Sequence, residues 1–559
     1  MQIAIRQFGG VAPKLDPRRL SDFAAQAAND CDLTNGTLRG LRSTTFVATP
    51  TKVGTKQTIY RFGQTGNDES LYWFHWLDDV DVVKGQVAGD TEEKTYFFND
   101  STFGHPRATK ASVALSGGTN YPMQSFRLGV PAPGTSYAPN TGAPGGAASG
   151  AGSGSNETRV YVYTWVTADG EEGPPSPPFT IVVQPGQTVN LTSLSAGPSG
   201  YNINRKRIYR TVSTFVTGTD YQFVAEIADV GTTYADNKTA SELGEVIATI
   251  DYEMPLPTLR GAKNMPNGIM IAYSGSDVYF CEPYKPYTWP LKYQQPVDFP
   301  VVGIGVYSET AVVLTRGNPY VFFGSDPNSI VSKKLDIEES CVSKNSIVEL
   351  GWGVMWASPN GLCQAGGQGT GLATEGLIDK EFWQGLNPSS IKAYNYDGRY
   401  VGFYNNGATT GGFIFDPQSE TQPFSFFSTF ATAGYNDPVR DALYLQVGPN
   451  IVRFDNNSTR SSYTWRSKKF EVGRRINFGW AKVEAPAFPV TLRVYVRECD
   501  TASASHNQTV LKATRTVTSA EPFRLPDGFT SDTWEVELAG TNQVTAVYLA
   551  QSAKELGQT

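Results

Sequence analysis

The chain has 559 residues, of which 40% are hydrophobic, and its 46 Lys and Arg against 53 Asp and Glu give a net charge of −7. This length is enough for three or four domains with cores of their own. An acidic chain lacks the excess of cationic side chains that tight binding to nucleic acid requires, so the charge argues against such a binder. The 56 glycines, 35 prolines, 30 phenylalanines and 28 tyrosines favour many strands joined by turns.

Cysteine spacing and hydropathy predict neither secretion nor a membrane span. The cysteines are odd in number, far apart and without a CxxC pair, which favours a reducing compartment at synthesis: Cys31, Cys281, Cys341, Cys363 and Cys499. The first ten residues, MQIAIRQFGG, lack a charged segment followed by an apolar run. No stretch has the roughly 18 consecutive apolar residues of a transmembrane helix. We therefore expect no signal peptide and no transmembrane segment.

The N-terminal region, residues 1–130, opens with helix and hairpin signals. Asp16 followed by Pro17 is typical of a helix start, and we predict a short helix through about Asn29. Asn35-Gly36 is a strong signal for a two-residue hairpin turn. Aromatic and β-branched runs then predict strands at residues 58–62, 71–76 and 95–98.

An acidic cluster follows these first strands. Asp78, Asp79 and Asp81 form the densest part of this charge run. An exposed, solvated loop is the simplest interpretation. The alternative is a wall of negative charge that faces a polyanion and repels its phosphates, which makes these three residues candidates for lining a channel.

The middle of the chain changes character twice. Residues 131–155 consist almost entirely of Gly, Ala, Pro and Ser, which predicts a flexible linker that cannot bury enough surface to order itself. Residues 156–250 then contain roughly six or seven short strands, the number expected of an immunoglobulin-like or fibronectin-III-like β-sandwich. Because similar aromatic strands lie on both sides, we interpret this sandwich as an insertion.

Residues 251–462 repeat one pattern at a nearly constant spacing. Two short apolar runs flank each of five glycine turns, at Gly275, Gly317, Gly361, Gly407 and Gly448. The differences between successive positions are 42, 44, 46 and 41 residues. A propeller blade of four strands takes about 40 to 50 residues, so the spacing predicts blades of a β-propeller. Early strands of the chain would close the ring against late ones.

The predicted fold class is therefore all-β, a β-propeller with an inserted sandwich and a C-terminal β domain at residues 463–559. An open β-sandwich, or two small β domains with accidental spacing, is the alternative. The cationic residues Lys468, Lys469, Arg474 and Arg475 of the last segment form either a contact surface or a solvated face.

Motifs of catalysis are absent from the sequence. The three histidines, His75, His105 and His506, lie outside metal-ligand spacing, and no nucleophile elbow, P-loop or HExxH occurs. Adjacent carboxylates such as Glu171 and Glu172 point to opposite faces of a strand and cannot flank one glycosidic bond. We expect no enzyme, and no catalytic, cofactor-binding or metal-binding residues. Acids gathered from separate blades keep a propeller glycosidase open as an alternative.

Several long segments resemble a family of bacteriophage virion proteins. They occur at both ends and in the middle of the chain: IRQFGGVAPKLDPRRLSDFAAQAANDCDLTNGTLRGLR, GEEGPPSPP, KRIYRT, Met265-Pro266-Asn267-Gly268, TWRSKKFEV and FRLPDGF. Together they resemble the tail nozzle or tail tubular proteins of short-tailed, podovirus-type phages over nearly the whole chain.

The resemblance implies a structural protein of the virion tail, synthesised in the cytoplasm of a bacterial host. It implies a ring of six copies beyond the portal and adaptor, in contact with tail fibres or spikes, around the channel through which double-stranded DNA passes during ejection. Six copies carry 6 × −7 = −42 charges, which favours a channel that does not grip phosphate. Closed rings of this kind repeat one heterologous contact.

A receptor-binding or glycan-binding tail protein remains the main alternative. That function predicts exposed aromatic side chains gathered in a groove, and Trp73, Trp76 and Trp289 are the candidates. The glycosidase alternative predicts release of reducing ends from host polysaccharide.

Overall fold

The computed structural model describes residues 1–63, 68–135, 142–212, 220–419 and 424–556. Over these residues the chain is all-β, with many small antiparallel sheets and three short α-helices, Ala111–Ala114, Lys380–Gly385 and Ala553–Leu556. The chain divides into two compact units. Unit 1 comprises residues 1–77, 302–321 and 333–559, and unit 2 comprises residues 78–301 and 322–332.

Unit 1 is organised by one long sheet of ten strands. Nine of them follow one another in this order across the sheet: Lys392–Tyr396, Arg399–Asn405, Thr410–Phe415, Phe424–Phe427, Ala25–Asn29, Tyr463–Ser467, Ser531–Gly540, Val490–Arg497 and Thr509–Val517. The tenth strand, Phe470–Ile476, also pairs with Ser531–Gly540.

Smaller sheets complete unit 1. Three have four strands and two have two, each given in its spatial order: Gln2–Ile5, Ala546–Ala550, Trp480–Glu484 and Phe523–Arg524; Val348–Glu349, Gly353–Ala357, Leu362–Gly366 and Gly369–Leu372; Ala433–Asp437, Ala442–Val447, Asn450–Arg453 and Thr45–Ala48; Cys31–Asp32 and Arg39–Gly40; Thr58–Arg61 and Trp73–Trp76. Two 3-10 turns, Lys344–Ser346 and Pro388–Ser390, connect strands.

Unit 2 contains four sheets and three 3-10 turns. The sheets, again in spatial order, are Phe126–Arg127, Arg107–Thr109, Thr95–Phe98 and Asp81–Lys84; Gly145–Ser149, Thr188–Thr192 and Tyr234–Asp236; Phe179–Val183, Glu157–Thr167, Ile203–Thr211 and Tyr221–Ala228; Arg260–Asn264, Met270–Ser274, Asp277–Phe280 and Gln295–Pro296. The turns are Ala240–Glu242, Leu291–Tyr293 and Pro327–Ser329. Most residues of a further four-stranded sheet belong to unit 1, and its strands are Val301–Tyr307, Thr310–Thr315, Tyr320–Phe323 and Val331–Lys334.

The five predicted glycine hairpins are confirmed. Each forms the two central strands of a run of four antiparallel strands, as Met270–Ser274 and Asp277–Phe280 do around Gly275. Gly275 and Gly448 have φ angles of 64° and 55°, in the left-handed region that a tight turn needs. Gly317 has no such angle, and the Thr315 hydroxyl accepts a hydrogen bond from its backbone N–H instead. The chain also reverses around Asn35-Gly36 as predicted, since Cys31–Asp32 pairs with Arg39–Gly40, but six residues and not two connect these strands.

The predicted helix from Asp16 to Asn29 is wrong. The Asp16-Pro17 signal produces only a turn, in which the Asp16 carboxylate accepts a hydrogen bond from the backbone N–H of Arg18 at 2.9 Å. Ala25–Asn29 is a strand instead, because it completes sheet hydrogen bonding on both of its edges. Tertiary pairing here overrides the helix propensity of an alanine-rich segment.

The linker prediction for residues 131–155 also needs correction. Gly145–Ser149 is not a tether but a strand, paired in register with Thr188–Thr192 over five residues. Small side chains suit this position, since a Cβ on Gly146 would lie 2.9 Å from the carbonyl oxygen of Asn190. Residues 136–141 of the predicted linker lie outside the described residues. The two-sheet region of unit 2 thus begins near residue 145, earlier than the predicted boundary at 156.

Two sheets of unit 2 share one hydrophobic core. Tyr161 and Trp165 from the four-stranded sheet pack in one cluster with Val189 and Leu191 from the three-stranded sheet, and all four are fully or almost fully buried. Alternating side chains from two facing sheets form such a core in any β-sandwich. The structure therefore accounts for the apolar periodicity of this region.

The C-terminal segment from residue 463 is not separate from the rest of unit 1. Its first strand, Tyr463–Ser467, pairs with Ala25–Asn29 inside the long sheet, and Ala546–Ala550 pairs with Gln2–Ile5. One core cluster contains Phe8, Trp465 and Phe413 from these different regions. The predicted boundary at 462/463 therefore does not divide two cores.

The glycine pair of the opening segment determines how closely the N-terminal chain approaches the long sheet. The backbone N–H of Val11 donates to the carbonyl of Phe424, and the Trp465 indole donates to the carbonyl of Gly9. A Cβ on Gly10 would lie 2.3 Å from the carbonyl oxygen of Phe424, which is backbone and cannot rotate away. Only glycine fits this position without moving a strand.

Gly10→Ala should therefore destabilise unit 1 by about 1–3 kcal/mol, the usual cost of forcing extra volume into a packed site. Thermal unfolding of the full chain, followed by circular dichroism, measures the effect as a lower unfolding temperature. Gly473→Ala is the matched control, because a Cβ there meets nothing within 4 Å. Equal unfolding temperatures for the two variants would contradict the packing argument.

Candidate functional site

The three acidic residues predicted to line a channel are half-buried, and they accept hydrogen bonds from neighbouring loops and strands. The Asp78 carboxylate accepts from both the backbone N–H and the hydroxyl of Ser101, at 3.0 and 2.5 Å. The Asp81 carboxylate accepts from the backbone N–H of Gly261 at 2.6 Å, and the carbonyl of Asp79 accepts from the Asn99 amide. These contacts give the cluster a structural role, and its facing a channel stays a prediction.

A cavity of about 460 Å³ lies entirely within unit 2. It is lined by the loop and strand of residues 85–96, by the turn of residues 169–171, by residues 284–287 and by Lys110. The Asp90 carboxylate shapes the first wall, because it accepts from the backbone N–H groups of Glu92 and Lys94. Sequence reasoning did not find this cavity, since its walls come from separate parts of the chain.

Two lysines and two carboxylates form an ionic network on one wall. The Lys94 ammonium lies 2.5 Å from Oε1 of Glu171 and 3.1 Å from Oδ2 of Asp169. The Lys110 ammonium lies 2.6 Å from Oδ1 of Asp169. Charge-assisted hydrogen bonds of this length are stronger than neutral ones, so they fix the positions of all four side chains.

The pKa values of this network follow from burial and charge. Burial alone would lower the pKa of Lys94, but the carboxylates of Glu171 and Asp169 together outweigh burial and raise it. Burial raises the pKa of Glu171, and Lys94 compensates only in part because its charge is shared with Asp169. Burial also raises the pKa of Asp169, yet Lys110 and Lys94 together outweigh burial and lower it. Glu171 is therefore the carboxylate of this network that takes up a proton most readily.

Tyrosines line the remaining walls. Tyr96 is only 4% exposed, and burial raises the pKa of its hydroxyl. Tyr287 is half-buried and Tyr284 is 56% exposed. Tyr284 also has a φ angle of 59°, which a bulky side chain rarely adopts. An exposed aromatic ring therefore stands at the cavity in a fixed and unusual backbone conformation.

The turn at Met265-Pro266-Asn267-Gly268 supports this ring. Asn267 and Gly268 both have positive φ, at 60° and 73°, the pattern of a type I′ turn. The Gly268 carbonyl accepts from the backbone N–H of Tyr284, and a Cβ on Gly268 would lie 2.5 Å from Cγ of the Tyr284 ring. The absence of a side chain at Gly268 thus lets the ring lie flat against the turn.

Glu171 and Glu172 point to opposite sides, as the sequence predicts. Glu172 accepts hydrogen bonds from Thr164 and Tyr209 at 2.7 Å and from Arg207 at 2.8 Å, on the buried side of the strands. Burial and the nearby Glu172 charge raise the pKa of Tyr209. The segments GEEGPPSPP and KRIYRT therefore meet at Glu172.

The tryptophans predicted for a glycan-binding groove are buried. Trp73, Trp76 and Trp289 are 4%, 5% and 2% exposed, and the indole of Trp289 donates to the carbonyl of Pro286 at 2.7 Å. Aromatic strand residues of this kind pack into cores more often than they face solvent. The prediction that these three form an exposed groove is wrong.

The cationic residues near the C-terminal end divide into two groups. Lys468 pairs with Asp22 at 3.1 Å and Lys469 lies 3.9 Å from Glu535. Arg474 and Arg475 are exposed on a wide bulge of Phe470–Ile476, where the register shifts between Glu471 and Ile476. The two arginines project from the surface of unit 1, as either predicted role for them allows.

Among the described residues, no cluster of three or more His, Cys, Asp or Glu side chains could hold a metal ion. All five cysteines are free and buried, and burial raises the pKa of Cys281, Cys341 and Cys363 to about 12. No helix in the described ranges is both long and apolar enough to span a membrane.

Comparison with protein-family models and with curated proteins finds no match. Solved structures that resemble parts of the chain include AztD from Citrobacter koseri, with 11% identity, a TM-score of 0.25 and coverage of 69% of this chain and 99% of that one. The WD40 domain of Neurospora crassa Pan2 has 8% identity and a TM-score of 0.24, over 50% and 88% of the two chains. The computationally designed Ika8 protein has 9% identity and a TM-score of 0.26, over 73% and 98%. At such TM-scores these likenesses carry no argument about function.

His75 is a buried histidine outside the cavity, in unit 1. Its ring is 1% exposed, with Nδ1 2.9 Å from the carbonyl of Trp73 and Nε2 accepting from the backbone N–H of Lys52 at 3.2 Å. Burial, followed by the charges of Lys52 and Lys56, lowers the pKa of His75 to about 4. The neutral tautomer with its proton on Nδ1 satisfies both contacts, whereas protonating Nε2 would break one of them.

The wild-type chain should therefore lose stability as the pH falls. Above pH 7 the ring is neutral in both folded and unfolded chains, and below its ordinary pKa only the unfolded chain takes up the proton. We expect a loss of about 2 kcal/mol in the free energy of unfolding of unit 1 between pH 7.5 and pH 5. Urea unfolding midpoints at several pH values measure this loss.

His75→Gln should remove most of this pH dependence, because glutamine does not titrate. His506→Gln, at a surface loop position, is the control and should keep it. An unchanged pH dependence in His75→Gln would assign the acid sensitivity to other groups.

Proposed function

We propose that the chain is a structural protein of the virion tail of a short-tailed bacteriophage, the subunit of a nozzle or tubular ring through which DNA leaves. The observation that carries this proposal is the pairing of the segments on which the resemblance rests. Ala25–Asn29 lies in the long opening segment and pairs with Tyr463–Ser467, which overlaps TWRSKKFEV. Segments more than 400 residues apart in sequence thus resemble the same family and share one sheet, which favours a whole-chain relationship.

A β-propeller with an inserted immunoglobulin-like sandwich is the architecture we propose. Successive runs of four antiparallel strands support it, and so does the run Ala433–Asp437, Ala442–Val447 and Asn450–Arg453, whose fourth strand is the early segment Thr45–Ala48. Completing a late sheet with an early strand is how propellers close without a free edge. The sandwich would be the two-sheet region that starts near residue 145.

A body built of many short antiparallel sheets suits a subunit that packs around an axis. We propose that six copies form the ring, that the adaptor or portal-proximal proteins contact one end, and that tail fibres or spikes contact its periphery. The exposed Arg474 and Arg475 are candidates for such a contact. The proposed role is mechanical, so we expect the chain to act as a part of the phage particle and to catalyse no reaction.

Electron microscopy of the purified full chain and of tailed particles tests the ring. We expect six copies on the tail axis around a central opening, the number that the resemblance implies, because a heterologous contact forms a ring when its rotation closes. Labelling the chain with an epitope in the particle identifies its position. A chain that stays monomeric at all concentrations and lies off the axis in particles would exclude the nozzle function.

The charge of the channel is tested by Asp78→Asn, Asp79→Asn and Asp81→Asn combined in one chain. Asparagine keeps the size of each side chain but removes three negative charges per subunit, so DNA phosphates should be repelled less and ejection should slow. The effect should be largest at low salt, where screening is weakest. Time-resolved DNA release from particles that carry the variant measures it.

A matched control replaces Asp22, Asp251 and Asp397 with asparagine. Their side chains are 81%, 73% and 76% exposed, and the loss of charge is the same. Equal ejection rates for the two triple variants at low salt would remove the first three residues from the channel wall.

A further inference from the structure

We propose that the cavity of unit 2 binds a neutral saccharide, which stacks on the ring of Tyr284 and forms hydrogen bonds with Glu171 and Tyr96. This inference does not rest on the proposed function, because binding to the isolated chain is independent of ring assembly. Four observations carry it: a fixed aromatic platform, unpartnered polar atoms, the charge of the walls and the size of the space.

The platform is the ring of Tyr284. The ring is 56% exposed, yet its backbone is held at a φ of 59° and one face is supported by Gly268. A side chain that is both exposed and held in an unusual conformation does not add to a core. A flat, supported aromatic face presents a large contact area at little cost in conformational entropy. The C–H groups on one face of a sugar ring match such a surface.

Three polar side-chain atoms at the cavity have no hydrogen-bond partner among the described residues. Oε1 of Glu171 accepts from Lys94, but among the residues that the structure describes no donor reaches Oε2. The Tyr96 and Tyr287 hydroxyls likewise have no hydrogen-bond partner within the described ranges, although Tyr96 is 96% buried. These three atoms reach the open space of the cavity, so they are available to a ligand that both donates and accepts hydrogen bonds. Sugar hydroxyls do both.

The charge of the walls selects against anions. Three lysines and four carboxylates line the cavity, a formal charge of 3 − 4 = −1. The Lys94 and Lys110 ammonium groups are paired with Glu171 and Asp169, and the Lys285 ammonium donates to the hydroxyl of Tyr252 and lies over its ring, so each of the three cations already has a partner. A neutral polyhydroxylated molecule meets no electrostatic penalty here.

The space also fits a small ligand. Ligand cavities usually measure about 300 to 1,000 Å³, and this one measures about 460 Å³. The ionic network alone would give a structural tie between strands. A structural tie explains neither the open space beside it nor the exposed ring at its edge, whereas a binding site explains all of these features.

Saturation-transfer-difference NMR on the full chain tests the proposal. The probes are glucose, galactose, N-acetylglucosamine, cellobiose, lactose and N,N′-diacetylchitobiose at millimolar concentration, with ³¹P line broadening for inorganic phosphate. We expect at least one sugar to receive saturation from the wild-type protein, and phosphate to show no broadening.

Three variants locate the bound sugar. Tyr284→Ala removes the stacking face and should weaken binding about tenfold. Gly268→Ala should weaken it similarly, because the new Cβ displaces the ring. Tyr96→Phe removes only a hydroxyl and should weaken binding about threefold to tenfold, with no change in unfolding temperature. Phe323→Ala removes an aromatic side chain that is 44% exposed elsewhere in unit 2, and binding should be unchanged.

The proposal is overturned if none of the six sugars receives saturation, or if only inorganic phosphate binds. It is also overturned if a sugar binds equally well to wild type, Tyr284→Ala and Tyr96→Phe, since the cavity is then not its site. The ring proposal is judged by particle imaging alone, so the two proposals fail separately.

Discussion

The structure of unit 1 depends on the strand Ala25–Asn29 being paired on both edges. On one side it lies parallel to Phe424–Phe427, and on the other it lies antiparallel to Tyr463–Ser467. Without this strand the long sheet would be two shorter sheets, and the facing edges of Phe424–Phe427 and Tyr463–Ser467 would be unpaired. Open sheet edges favour pairing with other chains. A strand in this position therefore joins the two halves of the sheet and also covers the edges at which other chains could pair. The adjoining Gly10 permits the close approach that this pairing requires.

In unit 2 the pair Glu171 and Glu172 links the core to the cavity. Glu172 is 8% exposed and is satisfied by Arg207, Tyr209 and Thr164, a set of partners that compensates its desolvation. The strand geometry that turns Glu172 inward turns Glu171 outward, toward Lys94. The cavity wall is therefore positioned by the buried network behind it. The alternation of side chains along the backbone thus places Glu171 in the cavity wall and Glu172 in the buried network.

Local sequence patterns predicted the hairpins well and the long-range pairings poorly. A turn such as Gly275 between two apolar runs depends only on nearby residues, so its signal is complete in the sequence. The strand Ala25–Asn29 was predicted as part of a helix because Asp16-Pro17 is typical of a helix start, and because its sheet partners lie hundreds of residues away in the sequence. Helix propensity is a weak prior that such pairing readily overrides.

The cavity was beyond sequence reasoning for a similar reason. Lys94 and Glu171 are 77 residues apart, and Tyr284 lies farther along still. A useful signal was nevertheless present: GEEGPPSPP places two carboxylates beside prolines, and Met265-Pro266-Asn267-Gly268 is a turn that a neighbouring ring can cover. The glycan-binding prediction named Trp73, Trp76 and Trp289 instead, because the sequence alone does not distinguish aromatic strand residues in an exposed groove from those in a core.

The placement of Ala25–Asn29 has a consequence for how the chain emerges from the ribosome. The strand is synthesised early, but its partner Tyr463–Ser467 follows 434 residues after Asn29, as the positions 29 and 463 show. At about 5–20 residues per second, translation takes roughly 20–90 s to reach that partner. During this interval the nascent strand has an unpaired edge, and the long sheet can be completed only after its last strand in sequence, Ser531–Gly540, has been synthesised.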